Sequence, residues 1–319
     1  MWHHLKNGFK LLHGVDLLII ALSMYCFQYF MLVPILDSVR LFPSLKGFDF
    51  SLLVLAVLCV AAAGYVLNDY FEFENDKLFS SGRNVIGDWI SMDNAFVLQA
   101  VLNGVGIILG YYLAWKVGNY EIGNLLVVCA AVLWTYAMFL KRFFLIGNIV
   151  VALLWAAVFV IVVLYEQKIF SPYSAASNGN SAYSLFLQMK GYALLVFLVA
   201  LVRAIISDME NRQAALHSEA KTLAVVLPAA AVKMVLTFLL LLVIVFVGVL
   251  QYMYYANEAL RHFWYAGLLI QPNLLIVLFL SWSSEKTSEW HNQLTFVNLV
   301  LFYIVASLPA FHFFNLYGG

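Results

Sequence analysis

Residues 50–77 read FSLLVLAVLCVAAAGYVLNDYFEFENDK, a nearly unbroken apolar run followed by seven polar or charged residues among the last ten. About 20 apolar residues let a helix cross the hydrocarbon core of a bilayer, and the run near 50–68 has that length without a single charge. Comparable runs lie near 15–37, 95–115, 121–140, 144–165, 188–207, 222–251, 263–282 and 293–315. Run 222–251 is long enough to tilt or to extend past the bilayer. The expected fold is therefore all-α, a polytopic bundle of nine transmembrane helices forming one membrane domain over 1–319.

Composition supports this and excludes the alternatives. Of 319 residues, 64% are hydrophobic and 11% charged, against roughly 45–50% and about 25% in an average soluble domain. Mean hydropathy is +0.91. A soluble protein could not hide so much apolar surface, and disorder, collagen and a coiled coil are excluded by the same figures. Seventeen basic and seventeen acidic side chains give zero net charge, so no basic surface suggests nucleic acid as a partner. Cys26, Cys59 and Cys129 lie in apolar runs without CxxC spacing, which argues against structural zinc and a disulfide framework. The apolar run from about Val15 to Leu36 is too long for a signal-peptide core and has no small-residue cleavage site, so it is expected to remain as the first span.

With nine spans the termini fall on opposite sides. The ends and loops on the N-terminal side carry ten Lys and Arg, Lys6, Lys10, Lys77, Arg83, Lys141, Arg142, Arg203, Arg212, Lys221 and Lys286. The other side carries six, and Lys233 is left within a span. The positive-inside rule then places the N-terminus in the cytoplasm. Segment 165–188, with its SPYSAASNGNS stretch, reads as a flexible outer connector. Segments 68–94 and 208–221, on the N-terminal side, are longer than tight turns and unusually charged, so function is sought there.

Asn68, Glu72 and Asp76 are spaced so that a continuing helix stacks them on one face, with Asp69 at its edge. Crowded carboxylates repel unless a cation sits among them, and hard oxygen ligands suit Mg²⁺, which shares phosphate oxygens with a protein. A solvated acidic helix end is the plain alternative for this stretch alone. The sixth span ends in a second polar stretch, Arg203-Ala-Ile-Ile-Ser-Asp208-Met-Glu210-Asn211-Arg212. Asp208 and Asn211 share a face at i, i+3, while Glu210 points elsewhere. Each cluster follows an even-numbered span, a plan suggesting related halves of about 1–142 and 143–290 with a ninth helix at 293–315. Arg83 and Lys141-Arg142 offer cations for a diphosphate; Lys141-Arg142 read equally well as a topology anchor.

These residues resemble the UbiA-type superfamily of intramembrane prenyltransferases over nearly the whole chain. The family pattern Asn-Asp-x-x-Asp-x-x-x-Asp appears as Asn68-Asp69-Tyr-Phe-Glu72-Phe-Glu-Asn-Asp76. Tyr-x-x-x-x-Leu-Lys-Arg, followed by Gly-Asn, appears as Tyr136 through Leu140-Lys141-Arg142 and Gly147-Asn148. Arg-x-Ile-x-x-Asp-x-Glu-Asp, ending in Thr-Leu, appears as Arg203 through Asp208-Met-Glu210-Asn211 and Thr222-Leu223. The resemblance implies a lipid-accessible cavity in which Mg²⁺ binds an isoprenyl diphosphate. An allylic cation then alkylates an aromatic or lipid acceptor. It implies catalytic roles for Asn68, Glu72, Asp76 and Asp208, and metal ligation by Asp69, Glu72, Asp76, Asp208 and Asn211. It places Arg83, Lys141, Arg142 and Asn148 on the diphosphate or substrate side, and makes Tyr136 a candidate to shelter the cation.

The departures from the family pattern carry their own expectations. Glu72 stands for Asp, lengthening the arm by one methylene. Asn211 loses a charge, Ala215 supplies no ligand where the family has its last Asp, and Ala214 replaces Gly. His13-Gly-Val-Asp16 stands where the first helix has Arg-x-x-Asn. Compensation by Asp16 or Glu210 requires that the fold turn one of them inward. The expected function is prenyl transfer within the membrane. The alternative is a catalytically impaired protein of the same fold acting as a membrane subunit or lipid-binding partner, with a protein partner.

Overall fold

A computed structural model of the chain describes residues 7–8, 10–38, 40–79, 85–170, 172–217 and 221–317, with the side chains at 74–79, 169–170, 172–184, 214, 217 and 317 outside the description. Among the described residues, nine helices are long and apolar enough to cross a membrane. They are α1 (Gly14–Ser38), α2 (Phe48–Phe73), α3 (Met92–Lys116), α4 (Tyr120–Met138), α5 (Ile146–Leu164), α6 (Leu185–Glu210), α7 (Ala229–Ala256), α8 (Leu260–Ser283) and α9 (Thr287–Leu316). Each overlaps one apolar run of the sequence.

Two expectations change. The stretch 172–184 is not an irregular connector: one helix runs from Pro172 to Glu210. Proline is tolerated at a first helical position, where its missing N–H would have no partner. The span within the run 222–251 begins only at Ala229. A short turn, Leu223–Val226, precedes it, and Leu227 is extended (φ −97°, ψ 148°) before Pro228 caps α7. The ring of a proline disfavours helical backbone in the residue before it.

Two of the helices change winding. Gln28–Leu32 in α1 and Ala266–Ile270 in α8 are π-helical, each ending two residues before a proline, Pro34 and Pro272. A proline removes one helical N–H and crowds the carbonyl four residues back, and a π turn relieves both.

By contacts the chain divides into two units, Met1–Lys141 with Ala157–Met189, and Arg142–Ala156 with Lys190–Gly319. In the first, α2 is the central helix, with 67% of its span window buried. Helices in lipid gain little from the hydrophobic effect and associate through close packing. Gly106 of α3 illustrates this: a Cβ there would lie 2.7 Å from the Ala56 carbonyl oxygen of α2. At the polar end of α2, Leu11, Val66, Ile86 and Ala95 form a small core, against which Tyr70, Phe73 and Trp89 pack. Gly87 (φ +97°) turns the chain there, and a Cβ would strike the Phe73 ring at 2.6 Å. Ser91 then caps α3 by accepting from the Asn94 N–H.

At the opposite end of the same unit, Glu166 is buried just beyond α5. Its carboxylate accepts from the Ser44 N–H at 2.7 Å and the Ser44 hydroxyl at 2.5 Å, pinning the α1–α2 loop. In the second unit, α7 buries Val232, Leu236, Leu240, Val243 and Val247 along one stripe. Leu240 and Val243 meet Val199 and Val202 of α6, Leu274 and Val277 of α8, and Val297 and Val300 of α9.

Candidate functional site: two polar helix ends

The helix that contains α2 continues to Phe79, so its polar end is helical, as the spacing requires. Asn68 Nδ2 donates to Glu72 Oε2 at 3.1 Å, one turn along. Lys141, in the turn after α4, reaches the same pair. Its Nζ donates to Asn68 Oδ1 at 3.2 Å, to Glu72 Oε1 at 3.2 Å and to the Asn68 carbonyl at 3.5 Å. The Lys141 side chain is 11% exposed and that of Glu72 is 40% exposed. A shielded ammonium thus sits among three oxygens, while the carboxylate beside it stays open to incoming ligand. Both Glu72 oxygens already have partners here. Asp69, at the edge of the face, lies 3.6 Å from His13 Nε2, and the His13 ring stacks on Tyr65 at 4.5 Å. Asp16, three residues beyond His13, is buried.

In the second unit, buried Asn148 at the start of α5 donates from Nδ2 to Asp208 Oδ2 at 2.8 Å. One and a half turns earlier on α6, Arg203 donates from Nε to Asn298 Oδ1 at 2.8 Å, its guanidinium 5.7 Å from the Trp155 ring. Arg203 therefore ties α5, α6 and α9 together beside Asp208. Asn211 is exposed, at the junction between the helix ending at Glu210 and the short helix Arg212–His217. Glu210 does not turn inward to replace it: its Oε1 lies 2.8 Å from His291 Nδ1. Arg142 is exposed, and its carbonyl accepts from the Lys221 N–H at 2.8 Å. Arg83 and the side chain of Asp76 lie outside the described residues. Tyr136 is half-buried.

The spacing of the candidate residues is legible in sequence, but the pairing of Asn148 with Asp208 is a finding of the structure. Two further contacts were not anticipated, Asn298 against Arg203 and His13 against Asp69. The signal for the second was the His13-Gly-Val-Asp16 departure, since a basic ring there asks for an acidic neighbour.

Among the described residues, no three His, Cys, Asp or Glu side chains gather as a metal site of their own. The acidic groups at the two helix ends are Asp69, Glu72 and Asp208, hard oxygen donors. Each end by itself offers hard oxygen donors of the kind Mg²⁺ takes when phosphate and water complete its shell, Asp69 and Glu72 at one and Asp208 at the other. Lys141, against Asn68 and Glu72, suits an anionic ligand at the first end.

The model of a family described as the UbiA prenyltransferase family matches residues 19–304. A digeranylgeranylglyceryl phosphate synthase from Methanosphaera stadtmanae is 28% identical over 177 residues, 54% of this chain and 57% of that protein. One from Thermococcus sibiricus is 30% identical over 197 residues, covering 61% and 62%. The chain thus spans about three-fifths of the length of these curated relatives. Two solved structures share the fold. The apo structure of a UbiA homolog from Aeropyrum pernix K1 has a TM-score of 0.66 at 14% identity, over 94% of this chain and 98% of that one. A UbiA homolog from Archaeoglobus fulgidus, bound to DMAPP and Mg²⁺, has a TM-score of 0.58 at 13% identity, covering 94% and 99%.

Proposed function

The chain belongs to the UbiA prenyltransferase family, an all-α family of multi-pass integral membrane proteins, and on that premise we propose that it transfers a prenyl group from an isoprenyl diphosphate to an acceptor within the membrane. The curated relatives favour a lipid acceptor, a prenylated glyceryl phosphate being the class their name carries; an aromatic ring is the other acceptor chemistry of this reaction. In the proposed reaction, the bond between the allylic carbon and the diphosphate oxygen breaks, and diphosphate leaves with the electron pair. The acceptor nucleophile then bonds to the allylic cation and loses its proton. Mg²⁺, when bound, would supply positive charge to the departing diphosphate.

The observation that carries this reading is the contact of Lys141 with Asn68 and Glu72. It joins two separate family motifs around one ammonium. Lys141 would release Glu72 and donate to phosphate oxygens as ligand enters, freeing carboxylate oxygens for the metal. Asp69, Glu72 and Asp76 would serve as metal ligands at the first helix end and Asp208 at the second, with Asn148 fixing the Asp208 carboxylate. Arg83 and Arg142 would add charge on the diphosphate side. Pre-placed charge of this kind lowers the cost of leaving-group departure.

Purified protein supplied with labelled prenyl diphosphate and a glyceryl phosphate lipid should release diphosphate and form a labelled lipid, and EDTA should stop both. The exposed Asn211, and an alanine side chain at 215 with no oxygen to offer a metal, favour a second reading, a catalytically impaired member that retains binding. That protein would bind the prenyl diphosphate yet release nothing.

A further inference from the structure

Lys233 is the basic residue that topology leaves within a span, and the proposed reaction gives it no role. It lies one turn inside α7, and its Nζ donates to the Trp282 carbonyl in the last turn of α8 at 3.0 Å. Trp282 Nε1 in turn donates to Thr237 Oγ1 at 2.9 Å. A lysine on the last carbonyls of a helix is a familiar cap, but that contact uses one of its three N–H donors. Below this polar rim, α7 and α8 part to leave an open groove of about 700 Å³, whose walls are Leu241, Leu275, Leu278 and Phe279, with Thr237, Trp282 and Ser283 at the rim.

We propose that this groove holds an anionic membrane phospholipid, one acyl chain lying along the leucines and Phe279 and its phosphate at Lys233. Charge complementarity selects this occupant. An ammonium in a bilayer span demands an anionic or carbonyl partner, and a lipid phosphate can serve the donors that Trp282 leaves unused. Trp282 is 51% exposed, and an amphipathic ring of this kind sits at headgroup level. The acidic neighbour, Glu289, accepts from the Glu285 and Lys286 N–H groups through Oε2 at 2.7 and 3.1 Å, and Lys233 is the weakest of the charges and bonds that act on it.

The test is native mass spectrometry of the full chain released from nanodiscs of equimolar phosphatidylglycerol and phosphatidylcholine. The parent should retain phosphatidylglycerol in preference, and Lys233→Ala should lower that preference roughly fivefold, the effect of about one interfacial charge. Lys233→Arg should keep the preference, and its result stands if the alanine variant unfolds. Leu278→Trp, which fills the groove, should reduce retention of both lipids. Equal retention of the two lipids by the parent, or an unchanged preference in a folded Lys233→Ala, overturns the proposal. So does displacement of the lipid by a prenyl diphosphate, which would assign the groove to the substrate. Cross-linking of Leu241→Cys between two copies would assign it to a second copy instead, and overturn it too. None of these outcomes depends on turnover.

Discussion

At the scale of single residues, the decisive feature is a lysine held by the polar end of α2. Lys141 neutralises Glu72 and binds Asn68 while nearly hidden from solvent. In the proposed reaction its positive charge would oppose entry of a free divalent cation and favour entry of a cation already paired with diphosphate. Lys141→Met should weaken prenyl diphosphate binding roughly tenfold to a hundredfold, the range of a lost charge-assisted hydrogen bond. It should also strengthen binding of Mn²⁺ alone, read by electron paramagnetic resonance without diphosphate. Loss of both affinities would show that Lys141 merely holds the helix end together. Asn148 acts differently, since it touches Asp208 and is buried. Asn148→Leu should leave Asp208 short of a donor and cost about 1–3 kcal/mol, seen as a lower melting temperature in detergent. The candidate residues were legible because their spacing on helices is periodic. Their partners were not: nothing along the chain couples Arg203 to Asn298, 95 positions apart.

Elements obey packing rules that the sequence shows only in part. Gly104 and Gly106 are two residues apart on α3, yet a Cβ at Gly104 would meet nothing within 4 Å, while one at Gly106 would meet α2 at 2.7 Å. Gly104→Ala should be neutral or slightly stabilising, whereas Gly106→Ala should destabilise by about 1–3 kcal/mol as the helices are forced apart. Thermal unfolding of the two variants in one detergent checks the contrast. At the far end of this unit, burial raises the Glu166 carboxyl above its usual range, against the lowering effect of Ser44 and Lys168. A raised acid binds its proton more tightly in the folded state, so its contribution is full below the unfolded value of 4.5 and is lost as pH rises through the folded value. The parent should therefore lose some stability as pH climbs from 4.5 toward neutrality. Glu166→Gln should flatten that slope in melting curves taken across the same range. Span positions were legible because a run of apolar residues has few other homes. The breaks were harder to see: Pro228 ends a run that hydropathy alone would carry through, and the helix from Pro172 runs through a segment rich in Ser, Asn and Gly.

For the whole molecule, the acidic groups are divided between two units, Asp69 and Glu72 in one and Asp208 in the other. Sequence spacing made the repetition visible, an acidic stretch after the second span and another after the sixth, but no motif states that both act on one substrate. That is a question of coupling free energy. If Glu72 and Asp208 both stabilise the same departing diphosphate, the loss of either should disable the shared centre. Glu72→Gln and Asp208→Asn should each lower kcat/KM by about a hundredfold or more, the scale of losing one pre-placed electrostatic group. The double variant should then be little worse than the poorer single one, because groups that act as a unit are strongly non-additive. Independent roles would instead multiply, giving a double loss near the product of the two. Restoration runs the other way. Ala215 lies in the short helix one turn beyond Asn211, and Ala215→Asp should raise Mg²⁺ affinity in an active enzyme by returning an anionic oxygen. In a chain that binds but does not turn over, both single variants would leave a zero rate unchanged, and diphosphate affinity would carry the same cycle. Additive losses of affinity there would separate the two acidic ends of the protein into two sites.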